Sequence, residues 1–335
     1  MGQFRGSAVI RSAILILAVP LLVQAQDRRE VKSETAVLWT DPGDISSRNL
    51  FWGSGGEKDQ PRPPVEFVEE DMHGTNPKFD AKDSSGEKWR VKMGPEARPE
   101  IAASRLLWAV GYTTNENYFL TTLHVNNMPA HLRRGQELSG SGGDVPNVRL
   151  QRRPKGLKKV GNWNWSANPF VGTREFNGLR VMMALLRNWD LDSDNSAILE
   201  SEHNPDQKIY MVTDLGSTFG ATGRRYRQRD SIGKLDAYRH GRLVRTIRPQ
   251  SVDLSFPSLP PLSFIFDVPF YRNQINVHAI GKKIPRADAR WIASLLGRLS
   301  ADQIRDAFRA AGYSPEVVEG FTAVVIARIQ ELKEL

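Results

Sequence analysis

The most restrictive feature of this chain is a single change of hydrophobic period between residues 67 and 111. Three short strand-like runs come first, separated by turn-forming residues at 73–76 and 84–86. From Pro99 the apolar residues recur at helical spacing, and Gly111 closes that run as a helix C-cap does. The pattern predicts a three-stranded meander followed by a helix, within an α+β fold.

The remainder of the chain predicts a second, larger and mostly helical part. A strand is expected at residues 118–125, and residues 131–148, which contain a polar Gly- and Ser-rich stretch, are expected to form a loop or linker. Thr173 is suited to cap a helix with its buried side between residues 176 and 186. Two strands flank a turn near residue 204, and the tail from Ala287 has helical spacing throughout. We therefore predict a small lobe at residues 65–130 and a larger lobe at residues 149–335.

The N-terminus has the pattern of a cleavable export signal. Arg5 and Arg11 precede an apolar run, and Val23-Gln24-Ala25 supplies small residues for cleavage after residue 25. The run is too short for a permanent membrane span. We expect a periplasmic or secreted protein with no transmembrane anchor after cleavage, and an extended lead-in at residues 26–64.

Composition excludes several classes of function. The chain has no cysteine, which removes disulfides, thiolate metal sites and cysteine nucleophiles. The formal net charge of +8 favours anionic partners such as phosphates. The basic residues are scattered without a nucleic-acid motif, so no nucleic-acid partner is predicted. Zinc-hydrolase, serine-hydrolase and P-loop motifs are also missing from the sequence.

Five polar residues occur in the order that phosphoryl transfer requires. The reaction needs a cation for the nucleotide phosphates, oxygen ligands for magnesium and a carboxylate that orients the attacking hydroxyl. Lys92 ends a predicted strand, and Glu100 lies on the following helix, where it can pair with that lysine. Asp190 and Asn195 lie five residues apart on the loop after a helix, and Asp214 ends a hairpin.

These motifs together resemble those of HipA-like kinases, which are related in fold to phosphatidylinositol kinases. The run Trp89-Arg-Val-Lys92, followed by the helix from Glu100 to Gly111, is similar to their strand-lysine and helix-glutamate element. The segment Asn188-Trp-Asp-Leu-Asp-Ser-Asp-Asn195 resembles their Asn-x-Asp-x-x-x-x-Asn catalytic loop, and Asp214-Leu-Gly216 resembles the Asp-Phe-Gly element of kinases. The resemblance covers residues 67–220 and departs from the family at Asp192, where histidine is usual.

The resemblance implies a two-lobed protein-kinase-like fold that uses ATP and magnesium. It implies that Asp190 is the catalytic base, that Asn195 and Asp214 hold magnesium, and that Lys92 contacts the α and β phosphates. The glycine-rich phosphate loop is reduced to the turn at residues 73–76. The implied nucleotide-binding residues are Lys92, Glu100 and Gly74.

Two other functions fit the same residues. One is a pseudokinase, a binding module that keeps the fold without catalysis. The other is an extracytoplasmic calcium-binding protein, since three alternate aspartates begin at Asp190, although the sixth and twelfth loop positions are not those of an EF-hand. The acceptor is open between a protein hydroxyl and a small molecule. An arginine cluster at residues 224–229 is either an acidic-substrate contact or a solvated loop.

Overall fold

The computed structural model describes residues 1, 35–74, 76–220, 229–256 and 276–335. The predicted export signal and most of the arginine cluster, Arg224, Arg225 and Arg227, lie outside the described residues. Within the described ranges, no helix is both long enough and apolar enough to cross a bilayer. The described chain is a mixture of α-helices and β-strands.

Five strands close into a small barrel in the order β2-β3-β4-β6-β5. β2 and β5 pair in parallel and complete the closure, while the other neighbours are antiparallel. The predicted meander is confirmed as its first three strands, whose inward side chains include Phe79, Ala81, Trp89 and Val91. The closed barrel itself was not predicted. The strands are β2 (Val65–Glu70), β3 (Lys78–Asp83), β4 (Lys88–Lys92), β5 (Glu116–Asn126) and β6 (Asp144–Arg152).

The predicted boundary at residues 148 and 149 is wrong, because it falls inside β6. This strand pairs with both β4 and β5, and Arg149 lies directly opposite Lys92. Val145, Val148 and Leu150 are buried in the barrel. The inward pattern is hidden in the sequence by Pro146 and by Asn147, which has a φ of 52°. The barrel therefore extends to Arg152.

The described part of the predicted extended lead-in, residues 35–64, is instead packed against the larger core, and residues 26–34 lie outside the described residues. Leu38, Ile45 and Leu50 are buried there, and β1 (Thr35–Val37) pairs in parallel with a strand later in the chain. The side-chain amide of Gln303 donates to the backbone carbonyl of Ile45 at 2.8 Å. Glycine and proline content predicted an extended segment, but its apolar side chains are buried in the larger core.

The three strands that follow the barrel join β1 in a separate four-stranded sheet with the order β1-β9-β8-β7. β7 spans Leu157–Gly161, β8 spans Ser196–Ser201 and β9 spans Gln207–Val212. Helix α2 (Arg174–Leu186) comes between β7 and β8, and the Thr173 hydroxyl accepts from the Phe176 backbone N–H at 3.2 Å, as the sequence predicts for an N-cap. The loop between α2 and β8 and the end of β9 carry three of the predicted site residues.

The C-terminal part is helical, which confirms the prediction from its spacing. A short helix α3 (Leu235–Tyr238) and a small sheet of β10 (Val244–Ile247), β11 (Ser251–Leu254) and β12 (Ile284–Pro285) precede it. The larger core joins these helices to α1 (Ala97–Ala109) and α2 through an aromatic cluster that includes Phe219, Tyr238, Phe308 and Phe321. The tail helices are α4 (Arg286–Leu296), α5 (Ala301–Arg309) and α6 (Pro315–Lys333).

Candidate active site

Lys92 is the centre of the candidate site and is held by the strand-to-helix connection. It is the last residue of β4, and α1 begins five residues later, so the first turn of the helix faces the lysine. Its Nζ lies 3.1 Å from Glu100 Oε2, and only 3% of the residue is exposed. The structure thus forms the pair that the sequence predicts, with Glu100 in the first turn of α1.

Asp214 reaches the same lysine from the distant end of β9. The distances from Lys92 Nζ to Asp214 Oδ1 and Oδ2 are 3.2 Å and 3.0 Å. The backbone N–H of Gly216 donates to Oδ1 at 2.9 Å and so fixes the carboxylate from its own side. Residues 122 positions apart in the chain therefore meet in one ion pair.

The loop between α2 and β8 folds back on itself and brings Asp190 and Asn195 together. Arg187, with a φ of 53°, ends the helix, and the Asn188 side chain accepts from the Asp190 backbone N–H at 3.0 Å. Asn195 Nδ2 donates to the backbone carbonyl of Asp190 at 3.1 Å. The Thr213 backbone N–H donates to the Asn195 carbonyl at 2.9 Å, which ties this loop to the residue preceding Asp214.

All the predicted site residues line one cavity of about 660 Å³. Its walls come from the barrel on one side and from the α2–β8 loop and the end of β9 on the other. The structure therefore brings together the proposed phosphate, metal and base residues, which are Gly74, Lys92, Glu100, Asp190, Asn195 and Asp214.

Opposing charges set the protonation states of the central pair. Burial by itself would lower the pKa of Lys92, but Asp214, Glu100 and Glu96 raise it above its ordinary value, so the lysine stays charged. Burial would raise the pKa of Asp214, yet the Lys92 ammonium holds it at about 2. The pair is ionised across the physiological range.

The pKa of Asp190 is shifted upward, in the opposite direction to that of Asp214. Burial, followed by the charges of Asp214 and Glu96, raises the pKa of Asp190 to about 6, and a hydrogen bond from Asn195 opposes that rise only in part. A carboxylate with a pKa near the working pH can both accept and release a proton, which suits a general base. Of the other two aspartates of the loop, Asp194 lines the same cavity as Asp190, whereas Asp192 lines a different one.

Sequence analysis missed two residues of this site, Glu96 and Arg149. Glu96 Oε2 lies 3.0 Å from Lys92 Nζ, and its position four residues after the lysine was an available signal. Arg149 is buried and pairs with Glu100. The sequence-based prediction places Arg149 at the start of the larger lobe, and only the pairing of β6 with β4 brings it next to Glu100.

Gly74 lies at the tip of the β2–β3 turn, at the rim of the cavity. Its φ is 65°, and its carbonyl accepts from Arg134 at 2.5 Å. Asn76, on the same turn, donates to Glu96 at 2.6 Å. Thr75 is outside the described residues. The β2–β3 turn, which occupies the place of a glycine-rich loop, is thus attached to the site by the hydrogen bond from Asn76 to Glu96.

The side chains of the cavity that are able to bind a metal ion carry oxygen ligands. Asp214 and Asp190 supply carboxylates, and the Asn195 amide donates through its nitrogen, which leaves its oxygen as an acceptor. These are the ligand types that magnesium prefers. No group of three or more His, Cys, Asp or Glu side chains suited to a metal ion occurs within the described ranges.

Comparisons with known proteins find similarity only among solved structures. No protein-family model matches the chain, and no curated protein matches it. The structure of the Helicobacter pylori proinflammatory kinase CtkA aligns with 14% identity and a TM-score of 0.45, over 81% of this chain and 97% of that one. The structure of the Golgi casein kinase aligns with 11% identity and a TM-score of 0.33, over 86% and 78% respectively. Identities and TM-scores this low transfer no property to this chain.

Proposed function

We propose that this chain is an exported, kinase-like phosphotransferase that moves the γ-phosphoryl group of ATP to a hydroxyl acceptor with magnesium. The observation that carries the proposal is the contact of Lys92 with both Glu100 and Asp214 inside one cavity. Protein kinases require a lysine–glutamate pair and a metal-binding aspartate in place at the same time. In this proposal the barrel with α1 is the smaller lobe and the rest is the larger one. The motif resemblance to HipA-like kinases supports this assignment.

Lys92 is the residue that binds the nucleotide phosphates. Its three N–H groups now point at Glu96, Glu100 and Asp214. If the ammonium keeps Glu96 and Glu100, the donor directed at Asp214 becomes available to a phosphate oxygen. Glu100 Oε2 holds the Lys92 ammonium in the cavity, because Arg149 pairs with Glu100 Oε1 and so fixes the carboxylate.

Asp214 and Asn195 are the metal-holding pair, and their donor chemistry fits magnesium. Once Lys92 turns to phosphate, the Asp214 carboxylate needs a new cation, and the Asn195 oxygen lines the same cavity. Asp214 and Asn195 would hold a magnesium ion there, which would supply positive charge against the phosphates. The close tie between Thr213 and Asn195 keeps the two ligands at a constant separation.

Asp190 is the base that receives the proton of the acceptor hydroxyl. The acceptor oxygen forms a bond to the γ-phosphorus, the bond from that phosphorus to the β–γ bridging oxygen breaks, and ADP leaves. Asp190 takes the hydroxyl proton in the same event. The pKa of about 6 leaves this carboxylate mostly ionised at neutral pH and ready for that role.

Nucleotide binding and transfer are tested separately on the purified mature chain. We expect ATP with magnesium to raise the melting temperature, and Asp214→Ala to remove that gain. Labelled ATP should then label the protein or an added acceptor, with loss of label in Asp190→Ala. The matched control is Asp192→Ala, which changes a carboxylate of the same loop that lines the neighbouring cavity.

The outcomes divide the candidate functions. Binding without transfer indicates the pseudokinase, a binding module on the same fold. Stabilisation by calcium alone, with no response to ATP and magnesium, indicates the calcium-binding alternative and contradicts the proposal. Loss of label in Asp192→Ala equal to that in Asp190→Ala would contradict the role given to Asp190.

A further inference from the structure

Glu96 is a carboxylate of the site that contacts three separate segments of the chain. Its Oε2 atom accepts from Lys92 Nζ at 3.0 Å and from Asn76 Nδ2 at 2.6 Å. Its Oε1 atom lies 3.5 Å from the Ser217 hydroxyl. A single buried side chain therefore contacts the end of β4, the β2–β3 turn and the segment after Asp214.

The backbone after Asp214 lies tightly against Glu96. A Cβ atom built on Gly216 would lie 2.5 Å from Glu96 Oε2 and 2.8 Å from Glu96 Cβ, closer than real contacts allow. The backbone N–H of this same glycine donates to Asp214. Gly216 therefore contacts both Glu96 and Asp214, the proposed metal ligand, so a shift of Glu96 would disturb the backbone that holds Asp214.

Glu96 and Glu100 differ in the cations that neutralise them. Glu100 is shared between Lys92 and Arg149, so its charge is already matched by the arginine. Among the residues that the structure describes, Glu96 pairs with no cation other than Lys92. Glu96 therefore balances the lysine, and the charge of Asp214 is left for another cation.

The centre of the site, around Lys92, carries an excess of two negative charges when Asp190 is ionised. The other charged side chains that line the cavity offset this excess; they are the cations Lys78, Arg90, Arg153 and Lys159 and the carboxylates Asp71 and Asp194. Replacing Glu96 by a neutral residue would halve the excess and leave Lys92 to neutralise Asp214. The groups counted at the centre are the cations Lys92 and Arg149 and the carboxylates Glu96, Glu100, Asp190 and Asp214.

We propose that Glu96 is a positioning residue that neutralises Lys92, so that Asp214 is free for the metal, and that holds the β2–β3 turn at the cavity through Asn76. The inference rests on the proposed function, because it concerns the metal and nucleotide of that site. Glu96 acts through Lys92, Asp214 and Asn76 and is not assigned any contact with the reacting atoms.

The test measures nucleotide binding rather than activity alone. A fluorescent ATP analogue is titrated into the mature chain over a range of magnesium concentrations, for wild type, Glu96→Gln and the exposed control Glu137→Gln. We expect the magnesium concentration for half-maximal binding to rise at least tenfold in Glu96→Gln and to stay unchanged in Glu137→Gln. Binding without magnesium should be equal to or tighter than wild type in Glu96→Gln, because one negative charge is gone.

Two more variants separate charge from position. Asn76→Ala keeps the charge of Glu96 but releases the turn, so it should raise the Kd for the ATP analogue and leave the magnesium dependence unchanged. Glu96→Asp keeps the charge on a shorter side chain and should restore most of the magnesium dependence. These two variants also decide the matter if Glu96→Gln does not fold.

Specific results would overturn the inference. If wild type binds the analogue with magnesium and Glu96→Gln shows the same magnesium dependence, the role of Glu96 is wrong while the proposed function stands. If Asn76→Ala shifts the magnesium dependence as far as Glu96→Gln does, the role of Glu96 is also wrong and the proposed function still stands. If wild type binds no nucleotide at any magnesium concentration, the proposed function fails and the inference fails with it.

Discussion

Replacing Lys92 by methionine should destabilise the folded protein strongly, because it removes the one cation shared by three carboxylates. Methionine retains most of the apolar volume of the lysine side chain, so the change is chiefly one of charge. Glu96, Glu100 and Asp214 lie at 3.0 to 3.1 Å from the ammonium. Removing one partner of a buried ion pair costs about 3–5 kcal/mol, since the remaining charge is left uncompensated.

The individual carboxylates contribute unequally to that cost. The side chain of Asp214 is 31% exposed, so solvent screens part of its charge, whereas Glu96 and Glu100 are almost completely buried. Arg149 still compensates Glu100. Glu96 is therefore the main source of the loss, and we expect about 3–5 kcal/mol in Lys92→Met at pH 8.

The loss should shrink as the pH falls. In the wild type the pKa of Asp214, held at about 2, lies below its unfolded value near 4, so its contribution is present above about pH 4 and disappears as the pH approaches 2. In Lys92→Met the Asp214 carboxylate no longer has the ammonium beside it, so burial raises the pKa of Asp214 and the folded state takes up a proton as the pH falls. The variant therefore regains stability relative to the wild type between pH 8 and pH 5.

Urea unfolding without nucleotide or metal, followed by tryptophan fluorescence at pH 5, 6.5 and 8, measures these differences; the chain has eight tryptophans. The double variant Lys92→Met with Glu96→Gln serves as the matched control, because it removes both members of one pair and should be more stable than Lys92→Met alone. A loss below about 1 kcal/mol at pH 8 would place Lys92 among weakly coupled surface pairs and refute the reasoning. A loss of unfolding free energy that is equal at all three pH values would also refute the reasoning.

Two further predictions concern Asp190 and the helix that precedes it. The value of kcat/KM should rise with pH through about pH 6, because Asp190 must lose its proton before it can act as the base, and a rise centred below pH 5 would contradict the assigned environment of Asp190. Thr173→Ala should lower the free energy of unfolding by about 1 kcal/mol, because the α2 N-cap is lost, while Thr173→Ser keeps the hydroxyl and should unfold close to wild type. Equal stability of the alanine and serine variants in urea would show that the cap contributes nothing.

Local pattern was enough for the elements that bear the site. The meander, α1, α2 with its Thr173 cap, and the two strands β8 and β9 were predicted because each depends on short-range spacing and turn residues. The order of Lys92, Asp190 and Asp214 along the chain indicated a phosphate and metal chemistry before any contact was known. Short-range rules explain why these predictions succeed, since period and capping act over a few residues.

The barrel closure, the path of the N-terminal segment and the placement of β6 were beyond such rules. Gly- and Pro-rich composition at residues 26–64 and Gly- and Ser-rich composition at residues 139–143 both suggested irregular structure. Long-range burial overrode that tendency, as Ile45 and Leu50 pack into the main core and Val148 into the barrel. Composition reports local preference, and it does not report which distant surface buries a residue.

The order of amino acids alone identifies the polar groups of this chain, their spacing and the kinds of element that carry them. The packing of distant elements pairs Lys92 with Glu96 as well as Glu100, pairs Arg149 with Glu100, and raises the pKa of Asp190. The physical reason is that pairing and desolvation depend on distances of a few ångströms between residues as far apart as Lys92 and Asp214. Such distances follow from how the barrel, α1 and the β8–β9 hairpin pack together, and no local pattern contains them.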